Sequence, residues 1–185
     1  MTRKPLRIIG FGHQRYRGKD TAAAYLADQY GYAHDAFAHS LKEGLGRGIF
    51  GLTDDQLYGD LKEVTDAFWG LTPRDILQRG GTEAMRRTFG EDIWVKTLLR
   101  RAHHRNVSTV IADVRFVSEA EAIKTDGGLV VRIDRDIAYD PDIDTHQSEV
   151  DLLAYKGWNC IINNNGTLEE LYHKLDMFMR DFRGS

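Results

Sequence analysis

The 185-residue chain reads as an α/β protein, a parallel β-sheet covered by helices on both faces. Three observations predict this. Short apolar runs with β-branched residues recur along the chain, and segments whose apolar residues fall three and four apart separate them. No internal repeat, low-complexity tract or domain-scale linker interrupts the alternation. Five strands alternating with helices then favour one parallel sheet, because each parallel connection must cross over the sheet.

The first strand is Leu6 to Phe11 (LRIIGF), an apolar run that ends in glycines. From Thr21 onward Ala23, Leu26, Ala27 and Tyr30 recur at helical spacing, and Gly31 is placed to stop the helix. Tyr32 to Ala38 (YAHDAFA) is a weaker strand pattern, with a helix expected from Ser40 to about Phe50. Thr72-Pro73-Arg74-Asp75 supplies an N-cap, a proline at the first helical position and an acid in the first turn. That helix is expected to break at Gly80-Gly81 before continuing to Arg87. Glu91 to His103 reads as another helix, with Ile93, Leu98 and Ala102 turned to a core. Thr109 to Ala112 is a strand that delivers Asp113 and Arg115 at its C-terminal end. Glu119 to Thr125 is helical, and Gly128 to Ile133 (GLVVRI) is the next strand. Asp134 to Thr145, with five aspartates and one proline, reads as a loop. Trp158 to Asn163 is the last strand, and a capping box from Thr167 to Glu170 opens the closing amphipathic helix.

One domain of this length can bury a sound core. A formal charge of −3 argues against a general nucleic-acid coat, which would carry a basic excess. Arg15, Arg17 and Lys19 still concentrate positive charge locally, enough to serve a small anion. Cys160 is the single cysteine, so no internal disulfide forms, and its apolar setting reads as a reduced thiol. The N-terminal apolar run is too short for a signal peptide and no stretch is long enough to span a membrane, so a cytoplasmic protein with no membrane partner is expected.

Chemistry enters at Gly10 to Thr21 (GFGHQRYRGKDT). The pattern approaches the phosphate loop G-x-x-x-x-G-K-[ST], whose backbone amides and helix N-terminus converge on an anion. Gly12 and Gly18 enclose five residues instead of four, and Asp20 stands where Ser or Thr is usual. Thr21 restores the hydroxyl one position later. A carboxylate beside phosphates needs a cation to offset it, Mg²⁺ or a neighbouring side chain. Lys19 can reach the β- and γ-phosphates as a movable charge. A dinucleotide loop fits worse, because Arg15 occupies the place of the third glycine. Zinc and serine-hydrolase chemistry find no pattern: His103 and His104 are adjacent and diverge on a helix, and no G-x-S-x-G is present.

The ordered blocks GKDTAA, FAHSLKEGL, LQRGGTEAMRRTFGEDIWVKTL, VIADVRFVSEAEAI, DTHQSE and INNNGTLEELYHKL resemble the deoxynucleoside monophosphate kinases of tailed bacteriophages, including the T-even type. The similarity runs from Leu6 to Leu175. The extra loop residue departs from the family's commoner form and leaves the role of Gly12 open, while Gly18, Lys19 and Thr21 keep theirs. The resemblance implies a three-layer P-loop kinase fold with a five-stranded parallel sheet, a helical monophosphate-binding region over roughly 39–105 and a lid over roughly 134–149. It implies transfer of the γ-phosphoryl group of ATP to a dNMP with Mg²⁺, and it suggests a homodimer.

Phosphoryl transfer needs two substrates in line and positive charge around the moving group. On the resemblance, Lys19, Asp113 and Arg115 form the catalytic set. Gly12, Arg15, Arg17, Gly18, Asp20, Thr21, Arg132, Arg135, Asn165 and Gly166 face ATP. Arg115 also grips the acceptor phosphate, with a structural pairing to Glu119 as its alternative. Lys42, Gln78, Gly81, Thr82 and Trp94 fall in blocks assigned to the dNMP, and Trp94 either stacks, shapes the pocket or packs in the core. Asp113 and Thr21, directly or through water, are the Mg²⁺ candidates. Arg132 and Arg135 act as lid arginines or pair locally with Asp134 and Asp136. Asn164, Asn165 and Gly166 lie where related kinases receive adenine by backbone contacts, or form an Asn-Gly turn. Asp144 to Glu149 matches a family block without a defined chemistry. Two rivals stand beside this reading: a small P-loop kinase acting on another phosphorylated metabolite, and a nucleotide-binding protein without turnover.

Overall fold

The computed structural model describes residues 8–13, 16–136 and 151–183, with the backbone alone described at 82, 83 and 183. Arg15, His146 and most of the expected lid lie outside these residues. The chain divides into a sheet unit, Met1–Asp35 with Arg101–Ser185, and a helical unit, Ala36–Arg100.

In the sheet unit, strands β1 (Ile8–Gly12), β2 (Ala33–Asp35), β3 (Thr109–Val114), β4 (Leu129–Asp134) and β5 (Cys160–Asn163) form one sheet in the order β2-β3-β1-β4-β5. All four pairings are parallel, as the alternation of elements predicts. Helix α1 (Lys19–Tyr30) follows β1, and its C-terminal Gly31 takes a left-handed φ of 71° while donating to Ala27 O. One face of the sheet, Ile9, Phe11, Val110, Ala112, Val131, Ile133 and Ile162, is buried against Ala22, Ala23 and Leu26 of α1 and against Leu171, Leu175 and Met179 of the closing helix (Leu168–Arg183). Each such large apolar side chain contributes about 1.5–3 kcal/mol by leaving water. The helix Val117–Thr125 packs against β1 and β4. Gly10 is small because Ile123 Cδ1 of that helix would lie 2.6 Å from a Cβ there. At the end of β2, buried Asp35 accepts from Arg101 Nε and Nη2 at 2.9 and 2.7 Å and from Arg105 Nη1 at 3.0 Å. Cys160 is half-buried, and burial pushes its thiol pKa up.

Several expected boundaries move. The second strand is only Ala33–Asp35, since helix α2 (Phe37–Ser40) begins directly after it and runs on as a π-type turn, Leu41–Arg47. The third strand continues through Asp113 to Val114. The last strand starts at Cys160 because Asn159 Oδ1 itself accepts the Val130 N–H at 2.9 Å.

The helical unit also holds α3 (Asp54–Leu57), a 3₁₀ turn (Asp60–Glu63) and α4 (Pro73–Gln78). Thr72 is the N-cap as expected, and it forms a capping box with Asp75, whose N donates to Thr72 Oγ1 at 3.1 Å. The expected break at Gly80-Gly81 is absent. The helix widens instead into a π-type stretch, Arg79–Arg86, and continues as α5 (Arg87–Phe89). These glycines admit close packing: a Cβ on Gly80 would collide with Leu45, and one on Gly81 would lie 2.7 Å from Leu41 Cδ2. Leu52, Leu57 and Ile76 form the local core. Helix α6 (Ile93–Arg105) ends in the sheet unit. Its start lies two residues beyond the expected Glu91.

Candidate active site

The loop between β1 and α1 starts from a glycine that packing requires. A Cβ on Gly12 would lie 2.7 Å from Trp158 Cη2 and 3.3 Å from Leu152 Cδ1. Gly12 sits beside Val114 on one side and Arg132 on the other. The chain then takes left-handed φ values at His13 (108°), Tyr16 (60°) and Gly18 (96°). Two of these are not glycines, so the loop stores backbone strain that surrounding contacts must hold. Gly18 is the N-cap of α1 and has no side chain with which to satisfy the first-turn amides. The positive end of the helix favours an anion at this point.

Lys19 opens α1 and is half-buried, whereas Asp20 and Thr21 in the same turn are exposed. An acid in the first turn is favoured by the helix dipole, which gives Asp20 a local reason for its place. Arg17 is half-buried. Arg132 lies within β4 and donates from Nη2 to Asp134 Oδ2 at 2.6 Å, the local pairing weighed above. Arg135 is exposed.

His13 reports the field at this point. Its side chain is 5% exposed, with Nδ1 3.7 Å from Asp134 Oδ1, too long for a hydrogen bond. Burial, then the positive charge of Arg132, lower its pKa to about 4; Asp134 opposes this, and Arg17 and Lys19 add to the lowering. The imidazole is therefore neutral at pH 7 and forms no ion pair with Asp134. Three cations bear on one buried ring. Among the described residues, His13 Nδ1 and Arg132 Nε are buried without a hydrogen-bond partner. Sequence reasoning missed His13; its signal was a bulky residue directly after a strand-end glycine.

Asp113 and Arg115 are half-buried at the C-terminal end of β3 and just beyond it. Glu119, the suggested partner of Arg115, accepts the backbone N–H groups of Arg115 and Phe116 through Oε2 at 2.8 and 3.1 Å. It thereby caps the helix Val117–Thr125. After β5, buried Asn164 donates from Nδ2 to Arg17 O at 2.9 Å. Asn165 donates to and accepts from Asp136, both at 2.6 Å, and exposed Gly166 precedes the Thr167–Glu170 capping box.

Within the helical unit, Lys42 Nζ lies 4.2 Å above the Tyr58 ring, and Tyr58 donates to Glu43 Oε1 at 2.7 Å. Gln78 is the exposed last residue of α4. Trp94 is buried and donates from Nε1 to Gly81 O at 3.2 Å. The Thr82 side chain is outside the described set. The structure thus groups Gly12, Arg17, Gly18, Lys19 and Arg132 around one loop of the sheet unit, and links Gly81 to Trp94 in the helical unit.

The chain is similar to known proteins in sequence and in fold. Residues 60–175 match the family model for deoxynucleotide monophosphate kinase. A protein of Acanthamoeba polyphaga mimivirus, provisionally named as a deoxynucleotide monophosphate kinase, is 38% identical over 91% of this chain and 93% of its own. The deoxynucleotide monophosphate kinase of Escherichia phage RB69 is 28% identical over 72% of this chain and 55% of its own. Among solved structures, shikimate kinase from Acinetobacter baumannii superposes with a TM-score of 0.56 at 18% identity, covering 95% of this chain and 94% of its own. Dephospho-CoA kinase from Campylobacter jejuni gives 0.51 at 14% identity, covering 95% and 97%. Those two likenesses establish the three-layer P-loop kinase fold. Family model and relatives go further: this phosphotransferase belongs to the deoxynucleotide monophosphate kinase family.

Proposed function

We propose that the protein transfers the γ-phosphoryl group of ATP to a deoxynucleoside monophosphate, giving ADP and the deoxynucleoside diphosphate. The observation that carries this reading is Gly18 as the N-cap of α1 with half-buried Lys19 opening the helix, in a chain of the deoxynucleotide monophosphate kinase family. Lys19 holds the donor's β- and γ-phosphates, with Gly18 and the amides of Asp20 and Thr21 around them. Arg15, Arg17 and Arg132 add positive charge, and Arg135 contributes from beyond β4. Gly12 closes the loop at the strand end. Asn165 and Gly166 receive adenine through their backbone.

Arg115 grips the acceptor phosphate and stays with it as charge shifts in the transition state. On the helical unit Lys42, Gln78, Gly81 and Thr82 contact the deoxynucleotide. Trp94 shapes that contact, since its ring is buried and its N–H is already used. Asp113 and Thr21 offer hard oxygens, which suit Mg²⁺ held by one carboxylate, water and substrate phosphates. Bound there, the ion neutralises donor phosphate charge. The enzyme works as a homodimer in this reading, which light scattering checks.

The test is initial-rate ADP release with ATP across deoxynucleoside monophosphates, ribonucleoside monophosphates and other phosphorylated metabolites. Turnover confined to deoxynucleotides is the expected result. Turnover with a different phosphorylated metabolite, or ATP binding without turnover of any acceptor, rejects the proposal.

A further inference from the structure

We propose that Asn164 is a positioning residue that sets the phosphate loop for the donor, a role resting on the reading above. Its Nδ2 donates to the carbonyl oxygen of Arg17 at 2.9 Å, across 147 positions of sequence. That carbonyl belongs to the peptide entering Gly18, the left-handed residue from which α1 starts. The orientation of the side-chain amide follows from its partner, because a carbonyl oxygen only accepts. Gly18 and Asn164 also fit by shape: a Cβ on Gly18 would collide with Nδ2. Glycine at that position therefore admits both the left-handed φ of 96° and the amide.

The strut is itself fixed. Asn164 is 7% exposed, and its backbone N–H donates to Asp134 O at 2.6 Å. On either side, Asn163 Oδ1 accepts the Asn165 N–H at 3.0 Å and Asn163 O accepts from Lys174 Nζ at 2.8 Å. With the Arg17 carbonyl held, the Gly18 φ is defined before any ligand arrives, and the first amides of α1 are preset toward one anion. Losing the bond removes the hold on the Arg17 carbonyl and lets the loop wander, so donor binding must then order it. Acceptor binding carries no such cost.

Two variants test this together. Asn164→Asp keeps the shape but cannot donate when ionised, and Asn164→Ala removes the donor without adding charge. For both, the KM for ATP is expected to rise by about tenfold, the loss of one hydrogen bond, with the dNMP KM within about twofold. Amide hydrogen exchange at residues 18–22 should accelerate in both while that of Ile9 and Val110 is unchanged. A lowered Tm with unchanged ATP KM and unchanged loop exchange would overturn the role and leave Asn164 a prop for β5. Equal rises in both KM values would overturn it as well. If the wild type turns over no dNMP, the functional reading falls by itself. Loop exchange and the affinity for inorganic pyrophosphate, measured in the same variants, then decide the role of Asn164.

Discussion

Gly12→Ala separates two reasons for a glycine at the start of the loop. If the residue is small to admit a phosphate, alanine should weaken ATP and spare the fold. If it is small to admit Trp158, alanine should weaken the fold first. The structure favours the second. The added Cβ would lie 2.7 Å from Trp158 Cη2 and 2.9 Å from Cζ3, where ordinary contact begins at 3.4 Å. The indole must therefore withdraw by about 0.7 Å at its nearest atom. It is braced edge-to-face on Tyr155, ring centroids 5.1 Å apart, so the shift spreads into a packed neighbour. Overpacking of this kind costs about 1–3 kcal/mol. Gly12 has no left-handed φ among those recorded, so backbone strain adds nothing. A mid-range 2 kcal/mol corresponds to a Tm loss of about 4–8 °C in a chain of this size. Trp158→Phe removes the two contacting atoms, and in that background the alanine should lose less than half as much. Thermal melts of the four proteins in this cycle supply the measurement. A Gly12→Ala protein with wild-type Tm and a tenfold higher ATP KM would refute the packing argument.

Lys19→Ala should fold normally, since Lys19 opens a helix outside the core, and lose about 10²–10³ in kcat; steady-state kinetics beside a melt check both halves. Arg115→Ala should lower turnover by about 10³-fold or more while ATP affinity, by calorimetry, stays near wild type. His13 supplies the pH dependence. Its folded pKa is depressed from 6.5 to about 4, so between those values the unfolded chain binds more protons and stability rises with pH. Acidification from about 6.5 toward 4 should cost at most about 3 kcal/mol through this group. His13→Asn, whose side chain tolerates a positive φ, should flatten that part of the urea-derived stability curve; an unchanged slope would refute the assignment.

What was legible in the sequence was what local pattern controls. β-Branched apolar runs marked four of the five strands, the second (Ala33–Asp35) having none, and Thr72 with Asp75 and Thr167 with Glu170 marked two helix starts at the correct residue. The helix start at Gly18 and Lys19 was legible because a glycine-bounded loop before a helix leaves a spacing in the chain. The misses share one cause, a partner distant in sequence. Gly80 and Gly81 read as a break by propensity, yet Leu41 and Leu45 fill the space beside them and keep the chain helical. Gly12 looked like a displaced motif residue, whereas Trp158 fixes its size from 146 positions away. Asn164 read as part of an adenine-receiving segment or of an Asn-Gly turn, and its contact with Arg17 has no signature in spacing.

These distant partners bear on how the loop can differ from the usual spacing and still hold the start of α1 in place. One additional residue lengthens the path from strand to helix, and left-handed geometry at His13 and Tyr16 costs on the order of 1–3 kcal/mol per strained residue. A loop held only by its own glycines would relax and lose the aim of its amides. Here the entry is fixed between β3 and β4 at Gly12, and the exit is fixed by Asn164 on Arg17 O. With both ends pinned to the sheet, the additional length is confined between them and the start of α1 keeps its direction. Burial and then Arg132, Arg17 and Lys19 all act to lower the pKa of His13 in this loop. On the proposed function, strain carried before binding makes donor affinity depend on the rigidity of the two pins more than on the number of glycines.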